Sequence, residues 1–261
     1  MRFAPRRTDT TALADAAARA HREGWAKLLD HVGHGWSQAG DFWLAGVTGL
    51  PAAPFNGLNV YGPCLVQELG AQLRRIALSG LPCALQTRPG SRRMVAQLAR
   101  RHGMARQPSA PIMAITAAPS AAAVPGLKIR TLAPEDGEPH ARIVAEVFDA
   151  PLGLMRQLSS PRLLRAPGIE VLLGVLDGEP VATALLDVNP SGAGIINVAT
   201  RAGARGRGIG SALTAAAAAR AFARGAPLCQ LLATPTGQPV YARLGFRELE
   251  RWSAWVRIPA L

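Results

Sequence analysis

Apolar residues in the first half of the chain recur at helical and strand spacings that predict an alternation of the two elements. In the first segment Leu13, Ala17, Ala20 and Leu28 lie on one helical face, and the glycines from Gly33 onward end that helix. Shorter apolar runs bounded by Gly and Pro follow, as expected for strands. The pattern predicts helices at 10–31, 65–78 and 92–101, and strands at 41–47, 55–61, 83–86 and 112–116.

The second half repeats this alternation with longer strands. A Gly-Glu-Pro turn after Asp177 separates two apolar runs and predicts a β-hairpin. An alanine-rich run after Ser211 predicts a helix to about Arg224, and the last strand carries Trp252 and Trp255 as core residues. We predict strands at 127–132, 170–176, 181–188, 195–200 and 228–233, a helix at 135–148, and an irregular or helical stretch at 155–164.

A segment of small residues and prolines at 117–126 separates the halves and has the composition of a linker. Gly80-Leu-Pro and Gly225-Ala-Pro both follow a helix and precede a strand, a second helix and a Gly-apolar pair. The repeated order predicts a tandem arrangement, although two α/β segments could also converge on it by chance. We therefore predict a mixed α/β fold with domains at 1–118 and 127–261, joined by a linker at 119–126.

The most informative stretch is the glycine-rich loop from Arg205 to Gly210, between an apolar strand and a helix. Glycines allow sharp turns and close approach of a ligand to the backbone. The free N–H groups and the dipole at the helix start favour an anion, and Arg205 and Arg207 add positive charge. The loop therefore predicts a phosphate site.

The loop matches neither common nucleotide motif. A Walker loop needs Lys followed by Ser or Thr after its last glycine, whereas Gly210 is followed by Ser211 and Ala212. The dinucleotide fingerprint fails because the sixth position from Gly206 is Ser211. Arg205-x-x-Gly208-x-Gly210 instead resembles the coenzyme A loop of the GNAT superfamily of N-acetyltransferases. Tyr241, four residues before Gly245-Phe246, is similar to the second signature of that family.

The resemblance implies a GNAT fold in the C-terminal half and a degenerate GNAT-like N-terminal half. That half has Asn59-Val-Tyr-Gly-Pro-Cys in place of the loop and Ala99 in place of Tyr241. It also implies acetyl-CoA as the acyl donor, a primary amine of a small molecule or peptide as the acceptor, no metal, and Tyr241 as the catalytic acid toward the leaving thiolate. The implied cofactor-binding residues are Val198, Ala199, Thr200, Arg205, Gly206, Arg207, Gly208, Ile209, Gly210, Ser211 and Thr234.

The general base is not evident. Many relatives carry a Glu near the start of the strand before the loop, but here the segment reads Gly194-Ile-Ile-Asn197. Asn197 could orient a water and Asp187 could act remotely, or both could be structural. The missing carboxylate keeps a second hypothesis open, a non-catalytic protein that binds or is regulated by acyl-CoA.

The composition limits which other classes of protein this chain could belong to. The 261 residues are 49% hydrophobic, which excludes global disorder, and they contain no apolar run long enough to span a membrane. The net charge of +12 comes almost entirely from Arg and favours a polyphosphate cofactor. No recognised motif favours nucleic acid. The three cysteines are widely spaced and suggest the reducing cytoplasm. The oligomeric state stays open between monomer and homodimer.

Overall fold

The computed structural model describes residues 7–259, and each described half alternates helices and strands. The helices are α1 (Arg7–His31), α2 (Val66–Ala77), α3 (Arg92–Arg101), α4 (Glu138–Phe148), α5 (Leu152–Gln157), α6 (Pro161–Leu164), α7 (Ile209–Ala223) and α8 (Gln238–Arg243). The strands are β1 (Trp36–Ala39), β2 (Trp43–Val47), β3 (Asn56–Val60), β4 (Cys83–Thr87), β5 (Ala105–Arg106), β6 (Ala110–Ile115), β7 (Leu127–Thr131), β8 (Ile169–Leu176), β9 (Glu179–Asn189), β10 (Gly192–Thr200), β11 (Cys229–Leu232) and β12 (Arg247–Arg257).

The chain divides into two compact units that are discontinuous in sequence. Unit 1 contains the residues up to Gly24 and Ile112–Leu249, and unit 2 contains Trp25–Pro111 and the residues from Glu250 onward. The domains predicted at 1–118 and 127–261 are continuous segments of sequence, unlike these two units. Their boundaries therefore stay a prediction. The final strand of each sheet, meaning the strand at one end of the strand order, comes mainly from the other half of the sequence. It is β6 in unit 1 and β12 in unit 2.

Unit 1 is built on the strand order β6-β11-β10-β9-β8-β7. Only β10 and β11 pair in parallel, and the other neighbours are antiparallel. Small side chains along α7, including Ala217, Ala218 and Ala221, are fully buried in the hydrophobic core. Because alanine leaves little volume between helix and sheet, α7 packs closely over β9 and β10.

The far end of α7 is held by a buried carboxylate. Glu170 on β8 is only 8% exposed and forms ion pairs with Arg220 and Arg224. Thr131 on β7 also donates a hydrogen bond to Glu170, at 2.6 Å. Cations near the last turn of a helix are stabilised by its dipole. The network fixes the direction of α7, and with it the position of its first turn.

Unit 2 repeats the plan with the strand order β1-β2-β3-β4-β12, and β5 also pairs with β12. Here β3 and β4 are the parallel pair. Helix α3 follows β4 in sequence, just as α8 follows β11 in unit 1. Trp255 on β12 lies in the core with Leu58 and Leu85. The predicted mixed α/β fold and its repeated order are confirmed.

Several sequence-based element boundaries differ from the structure. The strands β1 and β5 were not predicted, because each is short and mostly exposed and so lacks an apolar alternation. Helix α4 begins at Glu138 rather than at 135, after a turn in which the Asp136 N–H bonds the Ala133 carbonyl. Within the described range, no helix is both long and apolar enough to cross a membrane.

Candidate functional site

The end of β10 carries an irregularity that exposes its backbone. Pairing with β9 runs as far as Ile196 opposite Leu185 and resumes only at Ala199 opposite Thr183. Asn197, between these points, has a φ of 54°, an uncommon conformation for a residue other than glycine. Such a bulge bends the strand and leaves one residue outside the ladder. The backbone of Asn197 and Val198 is therefore released from β9.

The other edge of β10 is also open. The parallel pairing with β11 covers only Ala193 opposite Cys229 and Gly194 opposite Gln230. Beyond these positions β11 continues to pair with β6 as far as Leu232. The two parallel strands therefore separate, and β11 does not pair with the last residues of β10, including Val198–Thr200, along that edge. Extended ligands bind such an edge through main-chain hydrogen bonds.

The loop after β10 is shaped by a short turn and two glycines. A single 3₁₀ turn at Ala202–Ala204 follows the strand, and the Arg205 Nε donates a hydrogen bond of 3.0 Å to the Thr200 carbonyl. Gly206 and Gly208 have φ values of 76° and 80°, which strain any residue with a Cβ. No atom would lie closer than 3.5 Å to a Cβ at either glycine, so the backbone conformation and not the space demands glycine there.

The first turn of α7 leaves donors for a ligand. Gly208 is the N-cap residue and no side chain bonds the helix start. The first helical bond runs from the Ala212 N–H to the Gly208 carbonyl at 2.9 Å, so the preceding N–H groups are not used by the helix itself. Ile209 is buried and anchors the turn, whereas Arg205 and Arg207 are exposed. The turn has no acidic residue, so its field stays positive.

Tyr241 lies on α8, the helix that follows β11. The residue is 8% exposed. Its ring centroid lies 6.1 Å from that of Phe246, and the ring lies against Gly237, where a Cβ would come within 2.8 Å of the Tyr241 Cε2. Burial raises the pKa of the Tyr241 phenol to about 12. The phenol is therefore neutral and able to donate a hydrogen bond throughout the physiological pH range.

Thr234 has a structural function in addition to the cofactor contact predicted for it. Its Oγ1 accepts the Gly237 N–H at 3.1 Å and lies 3.2 Å from the Thr236 Oγ1, and its carbonyl accepts the Gln238 N–H. These bonds order the turn before α8 and so help to place Tyr241. The cofactor contact itself stays a prediction.

Of the two candidate base residues, Asp187 lies away from the end of β10, whereas Asn197 lies next to Val198. Asp187 is buried, pairs opposite Gly194, and accepts a hydrogen bond of 3.1 Å from the Asn189 amide. Val198 is four residues beyond Gly194, roughly 13 Å along an extended strand. Asn197 is half-buried at the bulge and brings no charge.

Sequence analysis missed a buried histidine under the same strand pair. His140 on α4 is 1% exposed, and its Nδ1 lies 2.8 Å from the hydroxyl of Thr183, which itself donates to the Leu172 carbonyl. Burial lowers the pKa of His140 to about 4, so the ring is neutral. Thr183 is the partner of Ala199, so this chain of bonds supports the end of β10. A contact across 43 positions leaves no local sequence signal.

The corresponding place in unit 2 is closed. There β3 and β4 pair at four positions, from Gly57 opposite Ala84 to Val60 opposite Thr87. The Val60 carbonyl accepts hydrogen bonds from the Arg88 N–H and the Thr87 hydroxyl, both at 3.3 Å. Arg88 also donates to the Tyr61 carbonyl and forms a bidentate pair with Glu250. No strand edge is left open at that point of the described structure.

Metal and disulfide chemistry have no counterpart among residues 7–259. No cluster of three or more His, Cys, Asp or Glu side chains could hold a metal ion within that range. Cys64, Cys83 and Cys229 form no disulfide bond, and burial raises the pKa of Cys229 to about 12. Cys83 and Cys229 are buried, which fits small apolar core residues.

Comparisons with known proteins agree with this geometry. Residues 136–246 match the model of the acetyltransferase (GNAT) family. No curated protein sequence matches the chain.

Among solved structures, a GCN5-related N-acetyltransferase from Kribbella flavida has a TM-score of 0.71 at 20% identity, covering 93% of this chain and 95% of that one. A GCN5-related N-acetyltransferase from Sphaerobacter thermophilus has a TM-score of 0.58 at 21% identity, covering 95% and 94%. A tandem GNAT protein from the clavulanic acid biosynthesis pathway has a TM-score of 0.61 at 16% identity, covering 99% and 98%.

The structural likeness extends over nearly the whole chain and confirms the tandem fold predicted from the sequence. The family match falls within unit 1 and includes the open end of β10, the glycine loop and Tyr241. Residues 136–246 therefore match the acetyltransferase (GNAT) family, and the chain as a whole has the fold of tandem GNAT proteins.

Proposed function

We propose that this protein transfers an acetyl group from acetyl-CoA to a primary amine of a small molecule or peptide. The proposal places the reaction in unit 1 and keeps residues 127–261 as the acetyltransferase domain. The observation that carries it is the open edge of β10 beside an uncapped helix start. An edge of main-chain groups suits the pantetheine arm, and the helix start suits the pyrophosphate.

In this proposal the N–H groups from Gly206 to Ser211 hold the pyrophosphate, and Arg207 adds charge beside them. Arg205 contributes with the part of its guanidinium that is not bonded to the Thr200 carbonyl. The backbone of Val198, Ala199 and Thr200 binds the pantetheine, and the Val198 N–H polarises the thioester carbonyl. Polarisation by a fixed donor favours the transition state, in which the carbonyl oxygen gains negative charge.

The amine nitrogen attacks the carbonyl carbon, the C–S bond breaks, and coenzyme A leaves as a thiolate that must gain a proton. Tyr241 is the proposed donor. A phenol with a pKa of about 12 is a weaker acid than a thiol with a reference pKa near 8.5, so complete transfer to the thiolate is uphill by roughly 5 kcal/mol. Tyr241 therefore acts by hydrogen bonding. It passes its proton to the thiolate only as it receives one from the amine nitrogen, which becomes positively charged once the C–N bond has formed.

No carboxylate serves as base in this proposal, so the amine reacts in its neutral form. An alkylammonium has a reference pKa near 10.4, and only about one molecule in 2,500 is neutral at pH 7. The rate at fixed total amine should therefore rise roughly tenfold per pH unit from pH 7 to pH 9. Amines with a lower pKa should react faster at pH 7.

Release of free thiol from acetyl-CoA tests the proposal, measured across a panel of primary amines with an amine-free reaction as the control. Thiol release that depends on an amine supports acetyl transfer. The alternative, a non-catalytic acyl-CoA-binding or regulatory protein, is favoured by the missing carboxylate. It predicts acetyl-CoA binding by calorimetry without thiol release for any amine, and that result would reject the enzyme.

A further inference from the structure

A groove in unit 2 combines an apolar floor with a positively charged rim. It lies between α2 and α3, has a volume of about 250 Å³, and is called here the α2–α3 groove. Val66, Gly70 and Leu98 contribute apolar surface, and Arg74, Arg101 and His102 contribute the polar lining. The volume lies just below the roughly 300 Å³ at which drug-sized pockets begin, which favours a small ligand.

The cations around this groove converge without a counter-charge. Burial, followed by the charges of Arg74 and Arg257, lowers the pKa of His102, so both guanidinium groups act on the same ring. Within residues 7–259 neither Arg74, Arg101 nor Arg257 forms an ion pair with a carboxylate. Arg257, on β12, is not among the residues that line the groove, and its charge reaches His102 from outside the groove.

Helix dipoles account for only part of this arrangement. Arg74 and Arg101 lie in the last turns of α2 and α3, where a cation is favourable. That effect needs no cavity shared by two helix ends. Here Arg74 and Arg101 line one groove together with His102 and the apolar side chain of Leu98.

We propose that the α2–α3 groove binds a small organic dianion with an apolar body, such as a phosphate monoester or a dicarboxylate. The anionic group lies among Arg74, Arg101 and His102, where planar guanidinium groups suit oxyanions. The apolar body lies against Leu98 and Gly70. This site is independent of the acetyl-CoA site in unit 1, and it gives the degenerate unit a binding function of its own.

Calorimetry on the full chain at low ionic strength tests the proposal with two probes, phenyl phosphate and benzene-1,2-dicarboxylate. We expect one-to-one binding of at least one probe, with a Kd of roughly 0.1–1 mM. The probe that binds more tightly distinguishes a phosphate site from a carboxylate site. Inorganic phosphate should bind at least fivefold more weakly than phenyl phosphate if the apolar floor contributes.

Two variants separate the groove from general surface charge. Arg101→Gln should weaken binding at least fivefold, whereas Arg100→Gln, the same change on the neighbouring exposed residue, should alter Kd less than twofold. Gly70→Leu keeps every charge and fills the floor, because a Cβ at Gly70 points toward the Arg74 Nη1 at 3.4 Å and the Leu98 Cδ1 at 3.9 Å. It should also abolish binding, with its melting temperature confirming a folded protein.

Three results would overturn the proposal. They are the absence of saturable binding for both probes, equal effects of Arg100→Gln and Arg101→Gln, and unchanged binding in folded Gly70→Leu. Displacement of the bound probe by a short DNA duplex at the same charge concentration would also reject it, since the surface would then be a general polyanion site.

Discussion

The two units differ most at the place where each parallel strand pair ends. In unit 1, β10 and β11 separate after two paired positions, and a bulge at Asn197 frees the last part of β10 from β9 as well. In unit 2, β3 and β4 stay paired through Val60 and Thr87. Both pairs belong to the same strand–helix–strand plan. The difference shows that continued pairing closes in unit 2 the strand edge that stays open in unit 1, while the fold around it is kept.

The loops that follow these strands differ in the same way, because backbone groups left open in unit 1 are hydrogen-bonded in unit 2. Gly206 and Gly208 adopt positive φ values that aim backbone N–H groups outward. In unit 2 the carbonyl groups of Tyr61 and Gly62 are bonded instead by side chains, from Arg88 at 3.2 Å and Ser91 at 2.8 Å. Unit 1 thus leaves polar groups available for a ligand, and unit 2 satisfies them internally.

The largest expected effect concerns acid stability. His140 and His21, both in unit 1, have pKa values lowered by burial to about 4 from 6.5. A depressed histidine pKa gives stability that is complete above about pH 6.5 and is lost as pH falls toward 4. From the shift of His140 we expect about 3 kcal/mol of loss between pH 7 and pH 4. Urea unfolding of wild type and His140→Asn at both pH values measures it, and an unchanged pH dependence in the variant would contradict it.

The second prediction concerns Tyr241, whose counterpart in unit 2 is Ala99. Tyr241→Phe should lower kcat about 100-fold, a typical contribution of a positioned proton donor. The Kd for acetyl-CoA should change less than twofold, because the ring and its contact with Phe246 remain. Thiol release gives kcat and calorimetry gives Kd. Equal activity of variant and wild type would remove Tyr241 from the mechanism.

The third prediction tests the closure of unit 2. Glu250 accepts two hydrogen bonds from Arg88 and one from the Trp252 Nε1, and both charged side chains are less than one-fifth exposed. Glu250→Gln should lower the free energy of unfolding by about 2 kcal/mol, because Arg88 would lose its counter-charge. Thermal or urea unfolding reports the loss. Acetyl-CoA affinity should not change, and a parallel loss of donor binding would show that closure of unit 2 supports the active unit.

The smallest expected effect tests the loop charge. Arg207→Glu should weaken acetyl-CoA binding about tenfold, or 1.4 kcal/mol, at fixed ionic strength. Arg106→Glu, the same change at an exposed residue of unit 2, serves as the control for net charge. Calorimetry on both variants separates a local from a global effect, and equal affinities for the two would count against the proposed pyrophosphate site.

The sequence was sufficient to predict most elements, because their apolar periodicity is local. Helix α3 begins and ends where expected, and α7 and the strands around it agree within a few residues. The glycine loop was recognisable because a backbone that requires positive φ restricts which residues can occupy it. Trp252 and Trp255 are buried on β12, as predicted.

The parts that the sequence did not reveal depend on contacts between distant residues. The bulge at Asn197 follows from the register between β9 and β10, and the bond between His140 and Thr183 joins a helix to a strand far along the chain. The exchange of final strands also escaped prediction. Each strand has the same apolar pattern whichever sheet receives it, so periodicity cannot choose between the sheets.

The exchange of final strands has a consequence for biosynthesis. Unit 2 begins near the N-terminus, yet β4 gains its β12 neighbour only when the last dozen residues have been made. During translation the sheet of unit 2 is therefore incomplete and β4 has one unpaired edge, whereas β6 has already been made when β11 is synthesised. At 5–20 residues per second, the 139 residues from Ile112 to Glu250 take roughly 7–28 s to synthesise. An exposed edge that persists this long on the ribosome is a natural target for a chaperone.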